Sequence, residues 1–184
     1  MLRRVELKRD SPENKVLKEL YEEAFPLGER IPYYEQFDFV DKFGGEFSAY
    51  YIGETLISFL SLFRTKKFIF GGGYLAVKKE IRGKGYGQKI VSEALDRYKD
   101  DVPFIIECES PYQTNSPNPE IRKRRHAFYA RNGFRDTGKI VTINGVDTTV
   151  MTNAKEHVSL EEIEEALKEV EPFYNKFPFL EEEK

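Results

Sequence analysis

Apolar residues fall into two rhythms along this chain: a period of two, which marks half-buried strands, and a period near 3.6, which marks amphipathic helices. Alternation predicts a strand over residues 2–8. Ser11-Pro12 then reads as a helix start, with Val16, Leu17, Leu20, Tyr21, Ala24 and Phe25 as the apolar face and Pro26 and Gly28 as the stop. A short helix or turn is expected near residues 32–39. Residues 47–52 and 55–63 read as a hairpin about Gly53-Glu54, and residues 68–77 as a third consecutive strand. Tyr86, Ile90, Val91, Ala94, Leu95 and Tyr98 recur at helical spacing. Residues 103–109 have the apolar run of a buried strand, and a Pro/Ser/Asn-rich loop over 110–119 precedes a helix ending at Asn132-Gly133. Residues 134–143 and 146–152 form a second expected hairpin, because Asn144-Gly145 is a strong turn signal. Ser159-Leu160-Glu161-Glu162 is a capping box opening a last helix, with Leu160, Ile163, Leu167 and Val170 on one face.

Composition narrows the class. A chain of 184 residues supports one domain with a sizeable core. A net charge of -3 and a pI near 5.6 argue against a dedicated nucleic-acid binder. The single Cys108 forms no internal disulfide and reads as a small buried side chain. His126 and His157 have no partners at metal-ligand spacing, so no metal is expected. The cytoplasm is the expected location, and no run is apolar enough to span a membrane.

The strongest chemical signal is Tyr74-Leu75-Ala76-Val77, followed after four residues by Arg82-Gly83-Lys84-Gly85-Tyr86-Gly87. A strand delivers the backbone into a glycine-rich loop that opens a helix. Helix N-terminal N–H groups and the positive dipole end suit phosphate, and Lys78, Lys79, Arg82 and Lys84 add charge. A P-loop is excluded, since Gly83-Lys84 is followed by Gly85 where Ser or Thr is required. A dinucleotide fingerprint is excluded because the glycines are one residue too closely spaced.

These residues resemble the acetyl-coenzyme A site of the GNAT N-acetyltransferase superfamily, whose hallmark is a Q/R-x-x-G-x-G/A loop after such a strand. The resemblance covers about residues 1–152 and implies an α/β (α+β) acyl-CoA N-acyltransferase fold: a central mixed, mostly antiparallel sheet flanked by helices. Residues 153–184 would be a helical extension, with Phe173, Tyr174, Phe177 and Phe179 packing on the domain or on a partner subunit. The resemblance implies that main-chain groups of Arg82, Gly83, Lys84, Gly85, Tyr86 and Gly87 hold the coenzyme pyrophosphate, while Leu75, Ala76 and Val77 line the pantetheine arm.

By the same resemblance, Tyr129, four residues before Gly133-Phe134, would protonate the departing thiolate. Glu107, in Ile106-Glu107-Cys108, would be the general base, with Glu109 on the same strand face as its competitor. Many family members carry Asn seven residues before that Tyr, where this chain has Arg122. The run Arg122-Lys123-Arg124-Arg125 reads mainly as a solvated helix face, with coenzyme phosphate, an acidic acceptor or RNA as alternatives. Pro32, Tyr33, Tyr34, Phe37 and the 111–119 loop would flank the acceptor, although those aromatics could equally fill a core. The expected activity is transfer of acetyl from acetyl-CoA to a primary amine of a small molecule or peptide by direct attack in a ternary complex. The alternative is a noncatalytic acyl-CoA-binding sensor or interaction module. A monomer or homodimer is expected, without nucleic acid or membrane partners.

Overall fold

The computed structural model describes residues 1–27, 30–71, 74–113, 118–143 and 146–174. The elements run β1 (Leu2–Glu6), α1 (Asn14–Ala24), α2 (Glu35–Phe43), β2 (Gly45–Ile52), β3 (Thr55–Arg64), β4 (Ile69–Phe70) and β5 (Leu75–Val77). They continue with α3 (Tyr86–Arg97), β6 (Phe104–Glu109), α4 (Pro119–Arg131), β7 (Arg135–Ile143), β8 (Val146–Thr152) and α5 (Leu160–Tyr174). The strands make one sheet in the order β1-β2-β3-β4-β6-β8-β7, with β5 paired to β3 off that path. Only β4 and β6 pair in parallel among the described strands. The expected mixed, mostly antiparallel sheet is therefore what forms.

Two layers of helices cover the sheet. On one face α3 buries Ile90, Val91 and Ala94 against Ile57, Ile69, Ile106 and Met151, with Phe128 and Tyr129 of α4 packed alongside. The opposite face is covered in two parts. Leu17, Leu20 and Tyr21 of α1 and Phe37 of α2 meet Phe47, Phe59 and Ala76. Ile163, Ala166 and Val170 of α5 meet Phe70, Ile105 and Val150. Each such buried aliphatic side chain contributes about 1.5–3 kcal/mol, so α5 belongs to the core of this structure.

Several local expectations changed. Ser11 does not cap a helix: its Oγ accepts the Lys8 N–H (2.8 Å) and α1 begins at Asn14, whose side-chain amide donates to the Lys8 and Arg9 carbonyls. Val16 faces solvent, as does Leu160 of the last helix. The single strand expected over 68–77 is two strands, because the chain changes partners within it. Phe70 pairs with Phe63 of β3 and Ile105 of β6, whereas Ala76 pairs with Phe59 of β3 alone. Gly71 sits at the break, where a Cβ would lie 2.7 Å from Ile106 Cγ2. The capping box forms as expected, with Glu162 N–H donating to Ser159 Oγ and Ser159 N–H to Glu162 Oε2. Gly28, Asn144-Gly145, much of the 111–119 loop, the side chains of Phe173 and Tyr174, and residues 175–184 lie outside the described residues.

Candidate active site

The change of partners at Gly71 opens the sheet. β5 stays on β3 while β6 continues with β8, so no ladder joins β5 to β6 among the described residues. Ser61 N–H donates to Tyr74 O and Lys78 N–H to Ile57 O. By antiparallel alternation, the main-chain groups of Leu75 and Val77 then point away from β3 and into the opening. One of them is engaged: Arg82 Nε donates to Val77 O at 2.8 Å.

Beyond β5 a 3₁₀ turn over Lys79–Ile81 leads to the glycine loop. Gly83 and Gly85 have φ of 78° and 79°, a region that side chains rarely enter, and this backbone aims successive N–H groups outward. A Cβ on either glycine would meet no protein atom within 4 Å, so their requirement is conformational. Gly87 differs. It is helical, and an added Cβ would make ordinary contact with Phe128 and Val77.

Gly85 caps α3 with no side-chain hydrogen bond, and the first turn holds no acidic residue. The N–H groups that a helix start normally offers to a capping side chain remain available to an anion. Lys78, Lys79, Arg82 and Lys84 surround them with no ion pair among the described residues. A pyrophosphate fits this loop on donor chemistry and charge.

Tyr129 and Glu107 lie on opposite faces of the sheet. Tyr129 lies on α4, its ring against Phe128 and Phe134 and within the cluster containing Ile106 and Cys108. Burial pushes its phenol up to about 12; neighbouring Cys108 adds to the rise and Arg125 opposes it. The phenol is therefore protonated at neutral pH. Glu107 pairs with Val150 in the β6/β8 ladder, and paired residues share a face. Val150 and Ile105 belong to the cluster under α5, so Glu107 projects to the face covered by α1, α2 and α5. Among the described residues nothing ion-pairs or hydrogen-bonds its carboxyl, and burial alone raises its pKa to about 7.

Glu109 is differently placed. Its carboxylate pairs with Arg122 at 3.5 Å and, in closer contact, with Arg125, both on α4. Two guanidiniums thus occupy Glu109, whereas Glu107 has no such partner among the described residues. The same contacts overturn the solvated-face reading at Arg122, whose side chain is 4% exposed and donates to Gln113 Oε1 at 2.6 Å. Lys123 and Arg124 do face solvent. Tyr33 is also corrected: it is 3% exposed in the aromatic cluster with Tyr21 and Phe47, and its hydroxyl donates to Asn14 Oδ1. Phe37 is core as well, while Tyr34 is 39% exposed and stacks on it. Cys108 is buried, and burial pushes its thiol up to about 11, the behaviour of a packing residue. No group of three metal-ligating side chains occurs among the described residues.

One residue of this region carried no signal in the pattern. Arg30 follows α1 in an irregular stretch, and its Nε is buried without a hydrogen-bond acceptor. A lone arginine outside any periodic segment gives sequence reasoning nothing to weigh.

A strand opened beside a glycine loop that starts an uncapped helix suits a phosphorylated ligand. Residues 44–136 match the model of the GNAT acetyltransferase domain, half of the chain, and the protein belongs to that family. No curated protein matches the sequence. Among solved structures, a GNAT-family acetyltransferase from Bacteroides thetaiotaomicron is 20% identical with a TM-score of 0.70, covering 96% of this chain and 98% of its own. A GNAT acetyltransferase from Elizabethkingia anophelis with acetyl-CoA bound is 14% identical (TM-score 0.59; 82% and 96% covered). An Arabidopsis thaliana protein in complex with the bisubstrate analogue CoA-Ac-MVNAL is 18% identical (TM-score 0.61; 83% and 98% covered). At these identities the likeness is one of fold.

Proposed function

We propose that this protein is an acetyl-CoA-dependent N-acetyltransferase that acts on a primary amine by direct attack in a ternary complex. The observation that supports this most is the placement of an unpaired Glu107 and a protonated Tyr129 on opposite faces of one sheet opening. Acetyl-CoA, which the Elizabethkingia anophelis structure holds, supplies an activated acetyl thioester. Residues 82–87 would hold its pyrophosphate, and Leu75, Ala76 and Val77 its pantetheine arm, after Arg82 releases the Val77 carbonyl.

An ammonium with a pKa near 10 is neutral in about one molecule in a thousand or fewer at pH 7, so the acceptor must lose a proton before attack. Glu107, with a pKa near 7, accepts that proton in its ionised form. The outward Val77 N–H is the donor placed to meet charge developing on the carbonyl oxygen. Tyr129 then gives its proton to the departing thiolate from the other face. Residues 1–152 would form the transferase unit, with α5 as an addition packed on it.

The test is thiol release from acetyl-CoA across an amine panel, with both substrates varied. Intersecting double-reciprocal lines are expected. Parallel lines would refute the ternary complex, and no release with any amine would refute the enzyme.

A further inference from the structure

Arg30 is the feature that the acetyl-transfer chemistry leaves unused. Its neighbour Ile31 drops into the cluster with Ile105 and Val150, the residues that lie two positions before Glu107 and opposite it across the ladder. The main chain there is fixed from both sides: Tyr21 hydroxyl donates to Ile31 O at 2.9 Å, and Ile31 N–H donates to Tyr74 hydroxyl at 3.3 Å. Tyr74 immediately precedes β5, the strand bordering the opening, and its ring packs on Tyr21. Arg30 is thus anchored on the same sheet face as Glu107, beside the same opening.

Its charge acts on the Tyr21 phenol, yet its Nε hydrogen-bonds neither phenol nor any other acceptor. It forms no ion pair among the described residues. Buried polar groups seldom stay unpartnered, and a guanidinium presents a planar fork suited to a carboxylate. The Nε atoms of Arg97 and Arg122 also lack a hydrogen bond, but those guanidiniums pair with carboxylates, Arg97 with Glu46 and Glu93 and Arg122 with Glu109.

We infer that Arg30 receives the carboxylate of the acceptor, so that the substrate class is a small amine that also bears a carboxylate, such as a free amino acid. This rests on the acetyl-transfer reading and adds the acceptor's second functional group. The carboxylate would anchor at Arg30 while the amine reaches toward Glu107.

The experiment compares matched acceptors by thiol release from acetyl-CoA: L-phenylalanine against phenethylamine, L-tyrosine against tyramine, and L-lysine against cadaverine. For at least one pair the wild-type protein is expected to favour the amino acid by about 10–100-fold in kcat/KM, the range of a charge-assisted hydrogen bond. In Arg30→Gln that ratio falls toward one, and in Arg30→Lys part of it returns. If the variants fold poorly, 3-phenylpropionate replaces them as a probe of the wild type, expected to inhibit competitively against the amine acceptor. Release with equal preference within every pair overturns the carboxylate site and leaves acetyl transfer standing. A preference that survives Arg30→Gln overturns it too, since the carboxylate would then be read elsewhere. No release with any acceptor overturns both readings.

Discussion

Two regions of the sheet treat buried charge in opposite ways. Where α3 and α4 meet the strands the carboxylates are matched: Glu46 lies between Arg4 and Arg97, and Glu109 between Arg122 and Arg125. Beside the opening, Glu107 and the Nε of Arg30 have no partner among the described residues. Removing ions from water costs several kcal/mol each unless a partner offsets it. The matched groups tie helices to strands, Arg97 to β2 and Arg122 to the end of β6. The unmatched ones hold nothing together, and the proposed acetyl transfer gives them a use.

The comparison breaks most severely if the matched side is cut. Glu109→Ala leaves the Arg122 guanidinium buried and unpaired, for an expected loss of about 3–5 kcal/mol and a fall in Tm of about 10 °C in calorimetry. A change under 1 kcal/mol would show that the cluster is not structural.

On the unmatched side the sign reverses. Burial raises the folded pKa of Glu107 from 4.5 to about 7, so its contribution to stability is complete below the unfolded value and is lost as pH rises through about 7. Glu107→Gln removes that penalty. Denaturant unfolding at pH 8 should show it more stable than wild type by up to about 3 kcal/mol, with no gain at pH 4. Equal stability at both pH values would contradict an unpaired buried carboxyl.

Tyr129→Phe sharpens the contrast with a smaller effect. As the proposed proton donor the phenol anchors no charge, so kcat should fall about 10²-fold while Tm moves by less than 2 °C. A loss of acetyl-CoA affinity, read by calorimetry, would instead make Tyr129 a binding residue. The smallest effect is Ser159→Ala. The capping box of α5 is remote from the opening, so the variant should lose about 1 kcal/mol and keep its kcat/KM.

What the sequence made legible follows the range of the interactions. The glycine loop, the uncapped start of α3 and the capping box are local, and each formed as read. Tyr129 could be placed on its helix because the spacing to Gly133-Phe134 is local too. Glu107 and Glu109 could not be separated, because strand alternation gives them one face; what divides them is α4, whose Arg122 and Arg125 lie more than a dozen positions on. The split of residues 68–77 into β4 and β5 also escaped, since it arises from a parallel pairing with β6. Tyr33 read as an acceptor wall because an aromatic next to a loop looks the same whether a ligand or Phe47 meets it. Arg30 had no pattern at all. Long-range pairing decides each of these cases.

The claim that the unpaired carboxyl is the working base is tested most directly by kcat/KM against pH for acetyl transfer, in wild type and in Glu107→Gln. The expected wild-type profile rises through an ionisation near pH 7, and that limb disappears in Glu107→Gln together with about 10²-fold or more of the rate at pH 8. An unchanged limb and rate in Glu107→Gln would contradict it.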